Sequence, residues 1–137
     1  MQFDLRNTTP PAKEFRALRR DAGWGGLDLA DVQTALDGGL INVTAYAGDE
    51  IAGFGRVVGD GILYFSIHDL IVREDFRRLG LGARLMHHLL EKIEARACPG
   101  AMIGVMAATG KEAFYEGLGF VARPTDIYGA GMTLLVK

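Results

Sequence analysis

The sequence predicts an α+β domain in which helices pack on both faces of a mixed, strongly bent sheet. Three observations carry this. Segments of alternating and of 3.6-residue apolar period succeed one another along the chain. Gly and Gly-Asp turns punctuate them. One long apolar run, Ile62 to Val72, has the composition of a central strand buried on both faces.

The elements follow in order. Phe3 and Leu5 alternate with polar neighbours and predict a short first strand. Thr8-Thr9-Pro10-Pro11 has the form of a helix start, a capping residue before proline. Phe15, Leu18 and Ala22 give that helix one apolar face, and Gly23-Trp24-Gly25-Gly26 breaks it. A second short helix begins near Asp28, carries Leu29, Val32 and Leu36, and ends at Gly38-Gly39. Leu40–Ala47 and Ile51–Val58 are strands joined by a tight hairpin at Gly48-Asp49-Glu50. Gly59-Asp60-Gly61 turns the chain into the long strand Ile62–Val72, whose polar members are Ser66, His68 and Asp69. Leu81, Leu85, Leu89 and Ile93, with Met86 and Leu90, form the stripe of a long amphipathic helix that Pro99-Gly100 stops. Ala101–Ala107 is a strand, Thr109–Gly117 a short helix, and Gly119-Phe120-Val121 and Gly131–Val136 two closing strands. The predicted order is β-α-α-β-β-β-α-β-α-β-β. With no internal repeat and no long linker, residues 1–137 are expected to form a single domain.

Composition narrows the function. A net charge of -2 argues against a nucleic-acid or membrane partner. The segment from Gln2 to Arg6 lacks the apolar core of a signal peptide, and no run reaches membrane-spanning length. The single cysteine, Cys98, allows no intrachain disulfide, which favours a reducing, cytoplasmic setting. His87 and His88 are adjacent on a helix and point apart, so they are not a metal pair, and no metal is expected.

The chemistry concentrates at Arg77-Arg78-Leu79-Gly80-Leu81-Gly82, a glycine-rich turn from strand to helix with two arginines at its mouth. Glycine admits close approach of the backbone, and the first N–H groups of a helix have no internal partner. With the helix dipole, they make a cradle for phosphate. Neither G-x-x-x-x-G-K-[ST] nor G-x-G-x-x-G is present, since Leu85 stands where the third glycine would fall. About thirty residues on comes Phe114-Tyr115-Glu116-Gly117-Leu118-Gly119-Phe120, a helix end with an aromatic pair followed by Gly-Phe.

Together these residues resemble the GCN5-related N-acetyltransferase (GNAT) family. Arg77-x-x-Gly80-x-Gly82 is similar to its acetyl-CoA motif, Q/R-x-x-G-x-G/A, and Phe114-Tyr115-x-x-x-Gly119-Phe120 to its second cofactor motif. The block from Gly53 to Gly61, with the Trp24-Gly25 segment, resembles a small, single-domain bacterial branch. The resemblance implies acetyl transfer from acetyl-CoA directly to an amine. Backbone N–H groups from Arg78 through Leu79, Gly80, Leu81 and Gly82 to Ala83 would hold the pyrophosphate, with Arg77 shaping the loop. The pantetheine arm would pair with Leu70-Ile71-Val72 where the strands Ile62–Val72 and Ala101–Ala107 splay apart. The Val72 amide would face the acetyl oxyanion.

The resemblance places Tyr115 near the coenzyme sulfur, where a phenol can protonate the departing thiolate; the alternative is a packed aromatic. The acceptor ammonium must lose a proton, and histidine suits that task. His68 is the candidate base, four residues before Val72 and by strand period on one face with Ser66, Leu70 and Val72; the alternative is a hydrogen-bonded core histidine. Trp24, Arg56 and Tyr64 are candidates to line the acceptor site, with a core aromatic and a structural ion pair as the competing readings of Trp24 and Arg56. Asp69 is expected on the opposite face in a structural role. Ala108 stands where many family members carry an asparagine seven residues before the tyrosine, so that wall of the cofactor site must differ. The expected acceptor is a small-molecule amine, with a peptide amine as the other option. The competing function is a non-catalytic acyl-CoA-binding or sensing module. Exposed sheet edges in so small a domain are compatible with a homodimer.

Overall fold

The computed structural model describes residues 2–137. Five strands and four helices run in the order β1 (Asp4–Arg6), α1 (Ala12–Asp21), α2 (Leu29–Asp37), β2 (Ile41–Ala47), β3 (Glu50–Gly59), β4 (Tyr64–Val72), α3 (Leu81–Glu94), β5 (Met102–Val105) and α4 (Glu112–Glu116), with a 3-10 turn over Glu74–Phe76 before α3. The strands form one sheet in the order β1-β2-β3-β4-β5. β1 to β4 are antiparallel neighbours. β5 starts beside the start of β4, where Met102 N–H donates to Leu63 O (2.9 Å). It arrives through α3, the crossover of a parallel pair.

The chain divides into two compact units, residues up to Gly104 and Val105–Lys137. In the first, helices cover both sheet faces. Phe15 and Leu18 of α1 and Val32 and Leu36 of α2 pack on Ile51, Phe54 and Ile71. The Phe15 and Phe54 rings meet edge-on at 5.1 Å. α3 lies on the other face through the buried stripe Leu81, Leu85, Met86, Leu89 and Ile93. It comes close because β3 carries glycine there. A Cβ on Gly53 would stand 2.9 Å from Ile71 O and 3.2 Å from Leu85 Cδ1.

Several expectations need correction. α1 begins after Pro11 with no side-chain cap. The threonine before it is used otherwise: Thr9 Oγ accepts from Asn42 Nδ2 at 3.0 Å. β4 starts at Tyr64, because the Asp60 carboxylate accepts the N–H groups of Ile62, Leu63 and Tyr64 (2.9, 2.7 and 3.0 Å) and holds residues 60–63 as a turn. Those three bonds stabilise the charged form and lower the Asp60 pKa.

The two closing strands do not form either; residues 118–137 contain no strand. Met132, Leu134 and Val136 alternate as a strand would, yet Leu134 is 94% exposed. Strand propensity is realised only against neighbouring strands, and this segment makes no ladder.

Candidate active site

β4 is interrupted at its centre. On β3, two steps separate Phe54 from Arg56; on β4, three separate their partners Ile71 and His68. The extra residue is a β-bulge, and Asp69 takes it up with φ 54°, in the left-handed region. Asp and Asn enter that region more readily than other residues with a side chain. The bulge inverts the alternation, and this corrects the face expected for His68. Ser66 and His68 pair with Val58 and Arg56, on the α1–α2 side of the sheet. Beyond the bulge, Ile71 takes that side and Val72 pairs with Gly53 on the α3 side. Leu70 Cδ1 lies 3.3 Å from where a Gly55 Cβ would stand, 2.8 Å from Leu89 of α3, so Leu70 also faces α3. His68 therefore shares a face with Ser66 and Ile71, and not with Leu70 or Val72.

Ser66 Oγ lies 2.8 Å from His68 Nε2, so the ring has a fixed partner at one nitrogen. Asp69, expected away from His68, instead turns its carboxylate to the α1–α2 side. It is 6% exposed and takes two guanidinium groups, Arg56 Nε at 2.8 Å and Arg19 Nη1. Arg56 also donates from Nη1 to Ala35 O at the end of α2 (3.0 Å). Arg56 is thus held in the ion pair that the sequence left as its alternative reading.

Trp24 belongs to the same group. Gly23 has φ 89°, Trp24 N–H donates to Arg19 O (2.7 Å) and Gly23 N–H to Arg20 O (3.0 Å). This is the Schellman end of a helix, in which the residue after the glycine folds back on the last turn. Trp24 accordingly stacks over Arg19, guanidinium to ring centroid 5.6 Å. Trp24, Arg19, Asp69 and Arg56 form one connected set, and His68 pairs with Arg56 in the sheet beside it. Tyr64 does not join it: it is 57% exposed at the far end of β4, about 13 Å along the strand from His68.

The donor side is built from the end of β4. Arg73 N–H donates to Ala52 O (2.8 Å). The next pair, Gly53 and Val72, is therefore a non-hydrogen-bonded one, and the Val72 N–H and C=O point away from β3. β5 has four residues and begins level with Leu63, so it ends before reaching this part of β4. Among the described residues, no strand covers that edge at Val72.

Arg77 Nε donates to Val72 O (2.9 Å) and ties the following loop to the strand end. Within the loop Arg78 (φ 63°) and Gly80 (φ 79°) are left-handed. Such turns converge successive N–H groups into an anion-binding concavity. The first helical bond is Arg84 N–H to Gly80 O (3.1 Å), so the N–H groups of Leu81, Gly82 and Ala83 begin α3 without helical partners. Nothing lies within 4 Å of a Cβ built on Gly80, and residues 77–80 are exposed.

In the second unit, α4 also ends in a Schellman motif. Phe120 N–H donates to Tyr115 O (3.1 Å), Gly119 N–H to Glu116 O (3.0 Å), and Gly119 has φ 99°. The Phe120 ring returns to within 5.9 Å of the Tyr115 ring, edge-on. Tyr115 is half-buried between Phe120 and Phe114, and burial raises its pKa above the ordinary phenol value. The Phe-Tyr-x-x-x-Gly-Phe pattern is thus a helix stop with its apolar clasp.

A recess of about 380 Å³ between α1 and the β2–β3 turn is lined by Glu14, Asp21, Asp49, Glu50 and Arg73, among others. It touches the end of β4 only at Arg73 and includes none of Trp24, Arg19, Arg56, His68 or Asp69. Among the described residues, no cluster of three metal-ligating side chains occurs.

A strand end with outward-facing amide groups, leading through an anion-binding turn into a helix, suits a ligand that carries both amides and phosphate. Comparison with known proteins gives the family. The profile of the Acetyltransferase (GNAT) domain matches residues 28–135, and this chain belongs to that family. It is 30% identical over 132 residues to the "GCN5-related N-acetyltransferase 1, chloroplastic" of Arabidopsis thaliana, covering 93% of this chain and 66% of the relative. It is 28% identical over 120 residues to the "Uncharacterized N-acetyltransferase ycf52" of Pyropia yezoensis, covering 85% of this chain and 68% of the relative. Among solved structures, a Staphylococcus aureus protein described as a "Probable Acetyltransferase" superposes with a TM-score of 0.88 at 26% identity, covering 98% of this chain and all of the other.

Proposed function

We propose that the protein transfers an acetyl group from acetyl-CoA directly to the amine of a small molecule. The observation that carries the reading is the end of β4: Val72 turns its N–H outward beside a loop whose two left-handed residues, Arg78 and Gly80, lead into the unpartnered N–H groups of α3. That arrangement fits an amide-bearing arm joined to a pyrophosphate.

The roles follow from the groups available. The N–H groups from Arg78 to Ala83 hold the pyrophosphate, and Arg77 keeps the loop against Val72 O. The edge at Leu70-Ile71-Val72 pairs with the pantetheine amides. His68, partnered by Ser66, takes a proton from the acceptor ammonium, directly or through water. The amine nitrogen then attacks the thioester carbon, and the Val72 N–H stabilises the negative oxygen that develops. As the C–N bond forms and the C–S bond breaks, Tyr115 protonates the departing thiolate. The phenol holds that proton at neutral pH at its ordinary pKa, and burial shifts it further in the same direction. The products are an amide and free coenzyme A, with no acyl-enzyme; Cys98 has no part.

Thiol release from acetyl-CoA across a panel of primary amines and amino-terminal peptides tests the reading. Turnover with small amines is expected. Turnover with peptides alone would move the acceptor class. Acetyl-CoA binding by calorimetry without turnover on any amine would make the chain a sensing module instead.

A further inference from the structure

We infer that Asp69 is a positioning residue for the acceptor side of the site, acting through Arg19 on Trp24. This rests on the transferase reading, which supplies the acceptor side, and four observations support it. Asp69 is the bulge residue of β4, next to His68, and holds a left-handed φ of 54°. Its carboxylate is 6% exposed and engages both Arg19 and Arg56. Arg19 lies under Trp24, which the glycine-ended helix stop places there. Arg19 Nε is buried without a partner, so its guanidinium is held chiefly by the carboxylate.

The physical logic is a chain of constraints. A carboxylate removed from water is stabilised by charge-assisted bonds, and losing it would leave two guanidinium groups facing each other's charge. The bulge turns the Asp69 side chain to the α1–α2 face, where Arg19 can meet it. Arg56 anchors the same carboxylate to α2 through Ala35 O. One charge therefore ties β3, β4, α1 and α2 together at the level of His68 and fixes the cation beneath Trp24. A planar guanidinium beneath an indole sets both the tilt of the ring and the polarity under it. Asp69 would thereby decide how an incoming amine meets the aromatic wall, without touching the amine.

Trp24 is the only tryptophan in the chain, so its emission reports this position alone. Asp69→Asn keeps a side chain that tolerates the left-handed conformation and removes the charge. In the ligand-free protein its Trp24 emission should move to longer wavelength and acrylamide should quench it more strongly. Arg19→Gln should do the same, and the double variant should add little to either single change. Glu14→Gln, which removes a charge from α1 outside the group, should leave emission as in the parent. For an amine found by thiol release, Asp69→Asn should raise the amine KM about tenfold and change kcat and acetyl-CoA affinity less than about threefold. Parent-like emission and quenching in both Asp69→Asn and Arg19→Gln would overturn the inference, as would equal loss of donor and acceptor affinity. Should Asp69→Asn not fold, Arg19→Gln alone decides. A parent protein that ignores acetyl-CoA would instead remove the transferase reading and leave the fluorescence result standing.

Discussion

At the scale of single residues, two side chains carry the proposed proton traffic. Tyr115→Phe keeps the ring between Phe114 and Phe120 and deletes only the hydroxyl. We expect turnover to fall by roughly 10²-fold or more, the usual weight of a positioned acid, while the acetyl-CoA dissociation constant measured by calorimetry changes little. The same hydroxyl has a thermodynamic signature. Burial raises its pKa in the folded state, whereas the unfolded chain releases the proton near about pH 10. Between those two values the folded state holds a proton that the unfolded state has lost. Stability from this group is therefore intact below about pH 10 and lost as pH climbs through the folded value. Melting temperatures between pH 9 and 11 should fall more steeply in the parent than in Tyr115→Phe. His68→Ala should flatten the acidic limb of the rate–pH profile, and an unchanged limb would remove His68 as the base.

At the scale of elements, the glycines of β3 and the bulge of β4 shape the site from opposite faces. Gly53→Ala would place a methyl 2.9 Å from Ile71 O and 3.2 Å from Leu85 Cδ1. Backbone cannot yield there as a side-chain tip can, so destabilisation of about 1–3 kcal/mol is expected from denaturant unfolding. Weaker acetyl-CoA binding should accompany it, because Ile71 belongs to the donor edge.

Elements also show how much was legible beforehand. The start of α3 at Leu81 could be read because an apolar stripe opens directly after a glycine turn, and both signals are local. The end of α4 at Gly117 was legible for the same reason, whereas Gly119, expected to open a strand, is the left-handed residue of the helix stop. The bulge at Asp69 was not. A polar residue in an apolar run signals an irregularity but not its direction, and that direction reversed the predicted face of Val72 and of Asp69. The clasp of Arg19 under Trp24 was missed although the Gly-Trp helix end was noticed; a Schellman stop predicts contact between the tryptophan and the residue five positions earlier. The closing strands were over-read, because alternation records propensity while a strand needs a partner.

At the scale of the molecule, the family profile spans residues 28–135 and so runs across both compact units. The phosphate-binding turn lies in one unit and Tyr115 in the other. A ligand that binds only the folded chain stabilises it by about 2.7 kcal/mol at one hundred times its dissociation constant. Acetyl-CoA at that level should raise the melting temperature, and equal concentrations of ATP or NAD should not. Unfolding followed by one probe in each unit should show which unit acetyl-CoA stabilises. The single tryptophan reports the first unit, and tryptic cleavage after the exposed Lys111 reports the second.

The extra residue in β4 also leaves a mark that needs no ligand to detect. A saturation-mutagenesis map scored by folded yield should show a two-residue rhythm of tolerant and intolerant positions along this strand. The rhythm should skip a beat at Asp69. Odd positions up to Ile67 share the α3 side, where beyond the bulge Leu70 and Val72 stand instead. Deleting Asp69 outright would restore an uninterrupted rhythm with Leu70 and Val72 still on the α3 side and Ile71 still on the α1–α2 side. A one-residue deletion there should therefore keep the two faces of the strand and lose chiefly the carboxylate that holds Arg19 and Arg56.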